Sequence, residues 1–190
     1  KYGNSGPGSP AWLYVNKRVQ AELQVPIQGW FSQGDQFGMG PVFERADGIR
    51  GFQIASPSLI GLRCVKSAFT MIEEAGIGAI AQKAATGTQM MIDLYDAWLA
   101  DLGFTLLTSR VSSERGGHIS LGHPDAARIC VALRQFANVI PDYRTPNSIR
   151  LAIAPLPTSY VEVWDGFQRI RDLVASRQYE TIKESDSRVT

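Results

Sequence analysis

Apolar residues recur in several stretches of the chain at the three- and four-residue spacing of an amphipathic helix, and elsewhere they cluster in short runs typical of buried strands. The spacing predicts helices over residues 56–76, 77–102, 124–138 and 159–176, and the short runs predict strands over 11–15, 51–55, 104–108, 117–121 and 148–154. Residues 26–48 are rich in glycine and follow neither period, so an irregular arm is predicted there. This order predicts an α/β protein whose strands pair mostly antiparallel in its C-terminal part.

Local signals mark the ends of the two long helices. Ser56 and Pro57 are residue types favoured at the N-cap and the first helical position. Gly103 suits the position just beyond a helix C-terminus. A helix N-terminus also attracts phosphate, because its free backbone N–H groups and the helix dipole favour negative charge. Ser56 therefore has two interpretations, a simple helix cap or a phosphate contact.

Composition narrows the class of protein. The chain has 190 residues, 44% of them hydrophobic, and a net charge of +1, so it can bury a core and has no basic surplus for nucleic acid. No apolar run approaches the roughly 18–20 residues that span a bilayer. Residues 1–10 lack the apolar region of a signal peptide. The chain has no initiator methionine and opens on a turn rich in glycine, proline and serine, so we expect a fragment of a longer chain. Cys64 and Cys130 lie in apolar, helix-like stretches and are expected to be reduced core residues of a cytosolic protein.

Three features near the N-terminus could carry chemistry. Lys1 precedes a glycine-rich loop and could form a Schiff base with an aldehyde cofactor, although spacing alone fits an exposed lysine better. Residues 4–8 could offer backbone amides to an anion or form only a tight turn. Trp30 could donate its indole N–H to a phosphate, or it could anchor the arm by packing.

Arg150 is the main candidate in the C-terminal part. It lies between two apolar residues of a predicted strand, and a buried arginine needs a partner. A bidentate substrate carboxylate would supply one, and so would a structural ion pair. Arg144 is expected to lie at the surface or to pin a loop. His118 and His123 have no acidic or cysteine residues clustered with them, so no metal site is expected.

Five blocks of sequence, in order along the chain, resemble the kynureninase family. They are KYGNSGPG at 1–8, GWF at 29–31, ADGIRGF at 46–52, RGGHIS at 115–120 and PNSIR at 146–150, which Pro155-Leu156 continues. Each block alone is moderately specific. Together they make a collinear match over essentially the whole chain, which therefore resembles the C-terminal part of a kynureninase from its cofactor lysine onward.

The resemblance implies a cytoplasmic, homodimeric fold-type I enzyme that depends on pyridoxal 5'-phosphate (PLP). It implies that Lys1 is the Schiff-base lysine, that Trp30 and Ser56 contact the cofactor phosphate across the dimer interface, and that Arg150 grips the substrate α-carboxylate. Asn4 and Gly6 would shape the loop behind the cofactor. Residues 1–55 would close the large PLP-binding domain and its interface arm, and residues 56–190 would form the small domain with its connecting helices.

The reaction implied is hydrolysis of the Cβ–Cγ bond of L-kynurenine or 3-hydroxykynurenine, in tryptophan catabolism. Ala55 and Ser56 lie where relatives set the preference between these substrates, and Ser56 stands where relatives commonly carry Thr or Asn. Two alternatives stay open: another fold-type I enzyme, of the desulfurase or aminotransferase kind, or an inactive fragment. The fragment would lack the upstream half of the polypeptide, which holds the rest of the cofactor site.

Overall fold

The computed structural model of the protein describes residues 3–183, and the chain divides into two compact units, Lys1–Glu74 and Ala75–Thr190. We refer to them as unit 1 and unit 2. The division after residue 55 that the sequence indicated stays a prediction about the larger domains of the family.

Unit 1 contains one long helix and several short turns. Helix α1 spans Leu59–Ala75, and 3-10 turns cover Lys17–Val19, Trp30–Ser32 and Gly48–Phe52. The irregular arm predicted over 26–48 is confirmed, since its strand-like pairing is limited to an isolated antiparallel β-bridge between Gln33 and Arg45.

The strands predicted over 11–15 and 51–55 are wrong. The first segment has no regular secondary structure. In the second, residues 51 and 52 end the 3-10 turn Gly48–Phe52, and residues 53–55 belong to no helix or strand. A strand requires a hydrogen-bonding neighbour, and the described part of unit 1 contains no sheet that could supply one. Apolar side chains of the first segment are therefore left exposed, including Trp12 at 63% and Tyr14 at 77%.

The cap of α1 is Ser58 rather than the predicted Ser56. The Oγ of Ser58 accepts a hydrogen bond from the backbone N–H of Gly61 at 3.1 Å, and its carbonyl accepts one from Leu62 at 2.9 Å. Pro57 accordingly precedes the helix instead of opening it. Ser56 is exposed and does not cap the helix.

Unit 2 begins with helix α2, Ile77–Leu94, which continues as a π-helical turn over Tyr95–Leu99 and a 3-10 turn over Ala100–Leu102. Gly103 follows with a φ of 86°, a left-handed conformation that glycine adopts without a side-chain penalty. The helix predicted over 77–102 is confirmed in extent, and its last turns differ in winding.

Two further helices confirm the pattern of apolar positions. Helix α3 spans Ala126–Phe136 and helix α4 spans Tyr160–Ala175. Helix α4 starts with a capping box, in which the Oγ of Ser159 accepts from the N–H of Glu162 at 3.2 Å and the Glu162 carboxylate accepts from the N–H of Ser159 at 2.7 Å.

Four short strands form one antiparallel sheet. They are β1 (Thr105–Leu106), β2 (His118–Gly122), β3 (Asp142–Arg144) and β4 (Ser148–Ala152), in the spatial order β1-β2-β4-β3. The sequence predicted all of them except β3, and it predicted their antiparallel pairing.

The sheet has two chemically different faces, because side chains alternate along each strand. On one face Ile119, Leu121 and Ile149 are at most 1% exposed and pack into the core. Residues paired directly across the strands share a face, and the register joins Ser120, Arg150 and Asp142 in one row and Ser148 with Arg144 in the next. We call the face formed by these five residues the polar face.

The hydrophobic core lies in unit 2, between the apolar face of the sheet and its helices. The stripe predicted on α4, Val163, Phe167, Ile170 and Val174, is buried throughout. Cys130 is fully buried and both cysteines are free, whereas Cys64 is exposed on α1. The core assignment is therefore confirmed for Cys130 and wrong for Cys64. Burial raises the pKa of the Cys130 thiol to about 12, which keeps it protonated.

His123 is a buried titratable group of the same core. Its ring lies between those of Phe104 and Tyr179, with centroid distances of 4.8 and 6.0 Å. Its Nδ1 accepts a hydrogen bond from the backbone N–H of Asp125 at 3.0 Å, so the proton of the neutral ring lies on Nε2. Burial lowers the pKa of His123, against smaller opposing effects from the charge of Asp125 and a backbone hydrogen bond to Leu102.

Unit 2 is expected to unfold more easily as the pH falls below about 6.5, the ordinary pKa of histidine. The lowered pKa keeps His123 neutral in the folded chain, whereas the unfolded chain takes up a proton near the ordinary value. This contribution to stability is therefore complete above that pH and is lost as the pH drops towards the folded-state pKa. Urea unfolding should lose this pH dependence in a His123→Gln variant and keep it in a variant of the exposed His118, His118→Gln. Equal pH slopes in the two variants would contradict the assignment.

Candidate functional site

Arg150 lies at the middle of β4, on the polar face of the sheet. In the strand register it stands between Ser120 of β2 and Asp142 of β3. Its Nη2 donates to Oδ2 of Asp142 in an ion pair, and the two side chains are 36% and 42% exposed. The structural ion pair, one of the two interpretations of this arginine, is therefore present. Substrate binding, the other interpretation, stays a prediction.

The carboxylate of Asp142 serves two arginines. Its Oδ2 also accepts from Nη2 of Arg144 at 2.8 Å. Burial by itself would raise the pKa of the Asp142 carboxyl, but the hydrogen bonds and charges of Arg150 and Arg144 outweigh it and hold that pKa below its usual range. Asp142 is thus ionised at neutral pH, and the three groups together carry a net positive charge.

A cavity of about 320 Å³ opens beside this ion pair, with residues of β4 and α4 in its wall. Arg150 and Asp142 contribute polar groups to it. The apolar part of the lining includes Met91, Leu151, Val163, Phe167 and Ile170. An arginine beside apolar walls suits a small molecule that has both a carboxylate and an apolar portion.

The segments that carry Trp30 and Ser56 adjoin each other in unit 1. The backbone N–H of Phe31 donates to the carbonyl of Ile54 at 3.2 Å. A Cβ on Gly29 would lie 2.2 Å from the same carbonyl oxygen, so only glycine allows this approach. The Gly29-Trp30-Phe31 block therefore has a structural reason, which is to let the arm contact the segment just before Ser56.

Trp30 and Ser56 differ in their readiness to bind a ligand. The indole N–H of Trp30 donates to the carbonyl of Gln36 at 2.8 Å, and its ring makes edge-to-face contacts with Phe31 and Phe37. Trp30 thus anchors the arm by packing, which was one of the two interpretations of this residue. To accept a hydrogen bond from the indole N–H, a phosphate would have to displace the Gln36 carbonyl. The side chain of Ser56 is exposed on the neighbouring segment.

The predicted cofactor lysine, Lys1, lies outside the described residues. The loop after it is described from Gly3 and contains left-handed residues at Asn4 and Gly6, with φ of 54° and 83°. A Cβ on Gly61 of α1 would lie 2.5 Å from Pro10, so the end of this loop packs closely on the helix.

The sequence did not single out Asp142 or Arg115, although both form several side-chain hydrogen bonds in unit 2. Asp142 was missed because β3 was not predicted, although opposite charges on both sides of a Pro-Asn turn are a visible signal. Arg115 was grouped only with its sequence block. Its guanidinium donates to Thr88 Oγ1 at 3.1 Å, to Gln89 Oε1 at 2.7 Å and to the Arg110 carbonyl at 2.6 Å, which ties the turn before β2 to α2.

Among residues 3–183, no group of three or more His, Cys, Asp or Glu side chains is arranged to hold a metal ion. No helix in the same range combines the length and apolar character that crossing a bilayer requires.

The fold is similar to that of solved PLP-enzyme structures. A cystine C–S lyase in complex with its product cysteine persulfide matches with a TM-score of 0.69 over 84% of this chain and 41% of its own, at 16% identity. A cysteine desulfurase from Thermococcus onnurineus NA1 matches with a TM-score of 0.69 over 86% of this chain and 42% of its own, at 15% identity. The fold class predicted from sequence is confirmed: the chain has the α/β fold of the C-terminal part of fold-type I PLP enzymes.

The sequence is similar to the sequences of kynureninases. Residues 80–170 match the kynureninase C-terminal domain. Kynureninases of Bacillus anthracis and Geobacillus thermodenitrificans are each 38% identical to this chain over 95% of its length, and one from Burkholderia mallei is 33% identical over 92%. The chain covers 42% of the length of each of these relatives. The chain is therefore similar to the C-terminal part of kynureninases.

Proposed function

We propose that the complete protein containing this chain hydrolyses the Cβ–Cγ bond of L-kynurenine or 3-hydroxykynurenine. The products are anthranilate or 3-hydroxyanthranilate, and L-alanine. The observation that carries the proposal is the match to kynureninases over 95% of the chain. The proposal concerns the complete protein, because the chain spans 42% of the length of those relatives.

The proposed cofactor is PLP, as in the solved variant of the lyase in which glycine is covalently linked to that cofactor. When bound, PLP supplies an electron-withdrawing ring that stabilises a carbanion at the substrate Cα. The donors of the adjoining Trp30 and Ser56 segments fit a phosphate. The indole N–H of Trp30 would exchange its hydrogen bond to the Gln36 carbonyl for one to the phosphate, and Ser56 carries an exposed hydroxyl. We assign Trp30 and Ser56 to the phosphate and Lys1 to the covalent attachment of the cofactor.

Arg150 is assigned to the substrate α-carboxylate. The net positive charge of Arg144, Asp142 and Arg150 attracts that carboxylate, and a guanidinium can hold it through two parallel hydrogen bonds. Fixing the carboxylate restricts rotation about the bond to Cα and so orients the Cα–H bond. The Lys1 amine, when free, is the base that we assign to removal of this proton.

We also propose that the enzyme is a cytoplasmic homodimer, as the family resemblance implies. Exposed apolar side chains in unit 1 support this proposal, because in the complete dimer another protein surface would cover them. They include Trp12, Leu13, Tyr14, Leu59 and Ile60, each at least 62% exposed. The two free cysteines support a reducing compartment.

The positions of the cysteines argue against a desulfurase. That chemistry requires a reactive cysteine thiolate with access to the substrate, typically on a mobile loop. The chain has two cysteines, and both lie on helices, Cys64 on α1 and Cys130 on α3. Cys130 is also fully buried, with a pKa raised to about 12.

A product assay with the complete protein and PLP tests the proposal. We expect anthranilate and alanine in equal amounts from kynurenine, and no sulfide from cysteine. The Cys64→Ser and Cys130→Ser variants should keep the activity on kynurenine, because neither thiol takes part in the reaction. Sulfide release that is lost in Cys64→Ser, without turnover of kynurenine, would instead establish the desulfurase alternative.

A further inference from the structure

Asp142 constrains Arg150 without using up its capacity to bind. A guanidinium has five N–H donors, and among residues 3–183 the hydrogen bonds of Arg150 side-chain donors go to Asp142 alone, through Nη2. The other guanidinium nitrogens of Arg150 have no hydrogen-bond partner within that range. The ion pair therefore fixes one side of a planar group and leaves its remaining donors available.

The origin of this constraint is the register of the sheet. Asp142 and Arg150 are direct cross-strand partners on β3 and β4, so their side chains leave the sheet side by side on the polar face. Arg144 holds the same carboxylate oxygen of Asp142 from within β3. The Oδ2 of Asp142 thus accepts from two arginines, and this shared ion pair can keep the long, otherwise flexible side chain of Arg150 in one orientation.

Other ionisable groups near Arg150 do not compete for it. Glu162 lines the same cavity, but its carboxylate accepts from the N–H and the Oγ of Ser159 at 2.7 and 2.8 Å. The neighbour of Arg150 on β2 is Ser120, which is uncharged, and His118 of that strand pairs with Ala152. Asp142 is the acidic side chain that the described hydrogen bonds connect to Arg150.

We infer that Asp142 is a positioning residue for substrate binding, which orients the guanidinium of Arg150 so that its free N–H donors meet the substrate α-carboxylate. This inference rests on the role proposed for Arg150. It differs from an electrostatic role, because the negative charge of Asp142 by itself repels a carboxylate. Positioning and repulsion predict opposite changes in KM when Asp142 is removed.

The test is steady-state kinetics of the complete, PLP-loaded protein with Asp142→Ala and Asp142→Asn. We expect Asp142→Ala to raise KM for kynurenine on the order of tenfold or more, with a much smaller change in kcat, because the carboxylate-binding group loses its orientation. Asp142→Asn keeps an acceptor oxygen in the same place and should restore most of the affinity. An unchanged or lowered KM in Asp142→Ala would overturn the inference.

Two controls separate positioning from a general structural effect. Asp96→Ala removes the carboxylate of another Asp–Arg pair of unit 2, in which Asp96 is 45% exposed and bonded twice to Arg110 at 2.7 Å. It should leave KM unchanged, and a rise equal to that of Asp142→Ala would overturn the inference. Ion pairs this exposed contribute little to folding, so both variants should keep the thermal transition and PLP absorbance of the parent. If Asp142→Ala does not fold, Asp142→Asn decides: a KM near or slightly above that of the parent supports positioning, and a KM clearly below that of the parent overturns the inference in favour of repulsion.

A double variant distinguishes failure of this inference from failure of the proposed function. In an Arg150→Ala background, Asp142→Ala should cause no further rise in KM, since Asp142 acts only through Arg150. Additive effects would overturn the inference. If Arg150→Ala raises KM and Asp142→Ala does not, only the positioning role is wrong. If Arg150→Ala itself leaves KM unchanged, the proposed carboxylate site is wrong and the inference falls with it.

Discussion

Replacing Lys1 by alanine in the complete protein is expected to lower kcat for kynurenine by on the order of 10³-fold or more. The physical reason is that one amine has two proposed roles: it attaches PLP covalently, and it then moves the Cα proton. No hydroxyl or thiol can replace an amine in the first role. Absorbance spectra of the purified variant should also lose the band of lysine-bound PLP.

The exposed Lys17 provides a matched control, since it lies in a surface 3-10 turn of unit 1. Lys17→Ala should keep both turnover and the absorbance band. Retention of both properties by Lys1→Ala would mean that another lysine holds the cofactor. That result would move the assignment of the cofactor lysine without changing the similarity to kynureninases, which extends over 95% of the chain.

Replacing Arg150 by alanine should raise KM for kynurenine by roughly 10- to 100-fold. A hydrogen bond to a charged group contributes about 1.5–3 kcal/mol, and about 1.4 kcal/mol corresponds to a factor of ten. Arg150→Lys should lie between the parent and the alanine variant, because lysine keeps the charge and loses the planar, two-pronged geometry. Initial-rate kinetics over a wide range of kynurenine concentration measures both variants.

Arg110→Ala is the control for a general loss of positive charge. Arg110 is 58% exposed and pairs with Asp96, so its removal should leave KM unchanged. A kynurenine analogue without the α-carboxyl group should bind the Arg150→Ala variant and the parent equally. Equal loss of affinity for both ligands would show that Arg150 supports the fold of the pocket instead of binding the carboxylate.

Helices α2 and α4 were predictable because each carries two independent local signals. Helix α4 has an apolar stripe at helical spacing and a Ser159–Glu162 capping box, and both signals agree. Helix α2 has the spacing and the terminal Gly103, but its change to π-helical and 3-10 winding over 95–102 leaves the apolar period nearly unaltered. Winding of that kind depends on packing between elements, which local spacing does not record.

Strands were harder, because a strand depends on its neighbours. The apolar run around Trp12 has the composition of a strand but finds no sheet in the described part of unit 1, whereas β3 has three residues, of which two are charged. Asp142 and Arg144 extend over the polar face, so their strand shows no buried alternation. Their place in the sheet follows from pairing with β4.

The residues of the candidate site were easier to predict from the sequence than the groups to which they bond. Sequence reasoning left Arg150 with either an ion pair or a substrate carboxylate, and it did not anticipate that one arginine has donors for both. It assigned the helix cap to Ser56, two residues before the serine that performs it. Serine satisfies the cap rule at either position, and the direction in which the backbone enters the helix decides between them.

The two faces of the small sheet have a consequence for how the protein can change over evolution. Ile119, Leu121 and Ile149 maintain the fold from one side, while Ser120 and Arg150, their immediate neighbours in the chain, meet whatever approaches from the other side. Substitutions on the second side alter charge and hydrogen bonding with little change in buried volume. Under the proposed assignment of Arg150 to the substrate carboxylate, natural selection can adjust ligand preference there by single substitutions, each of which leaves the stability of the domain nearly intact.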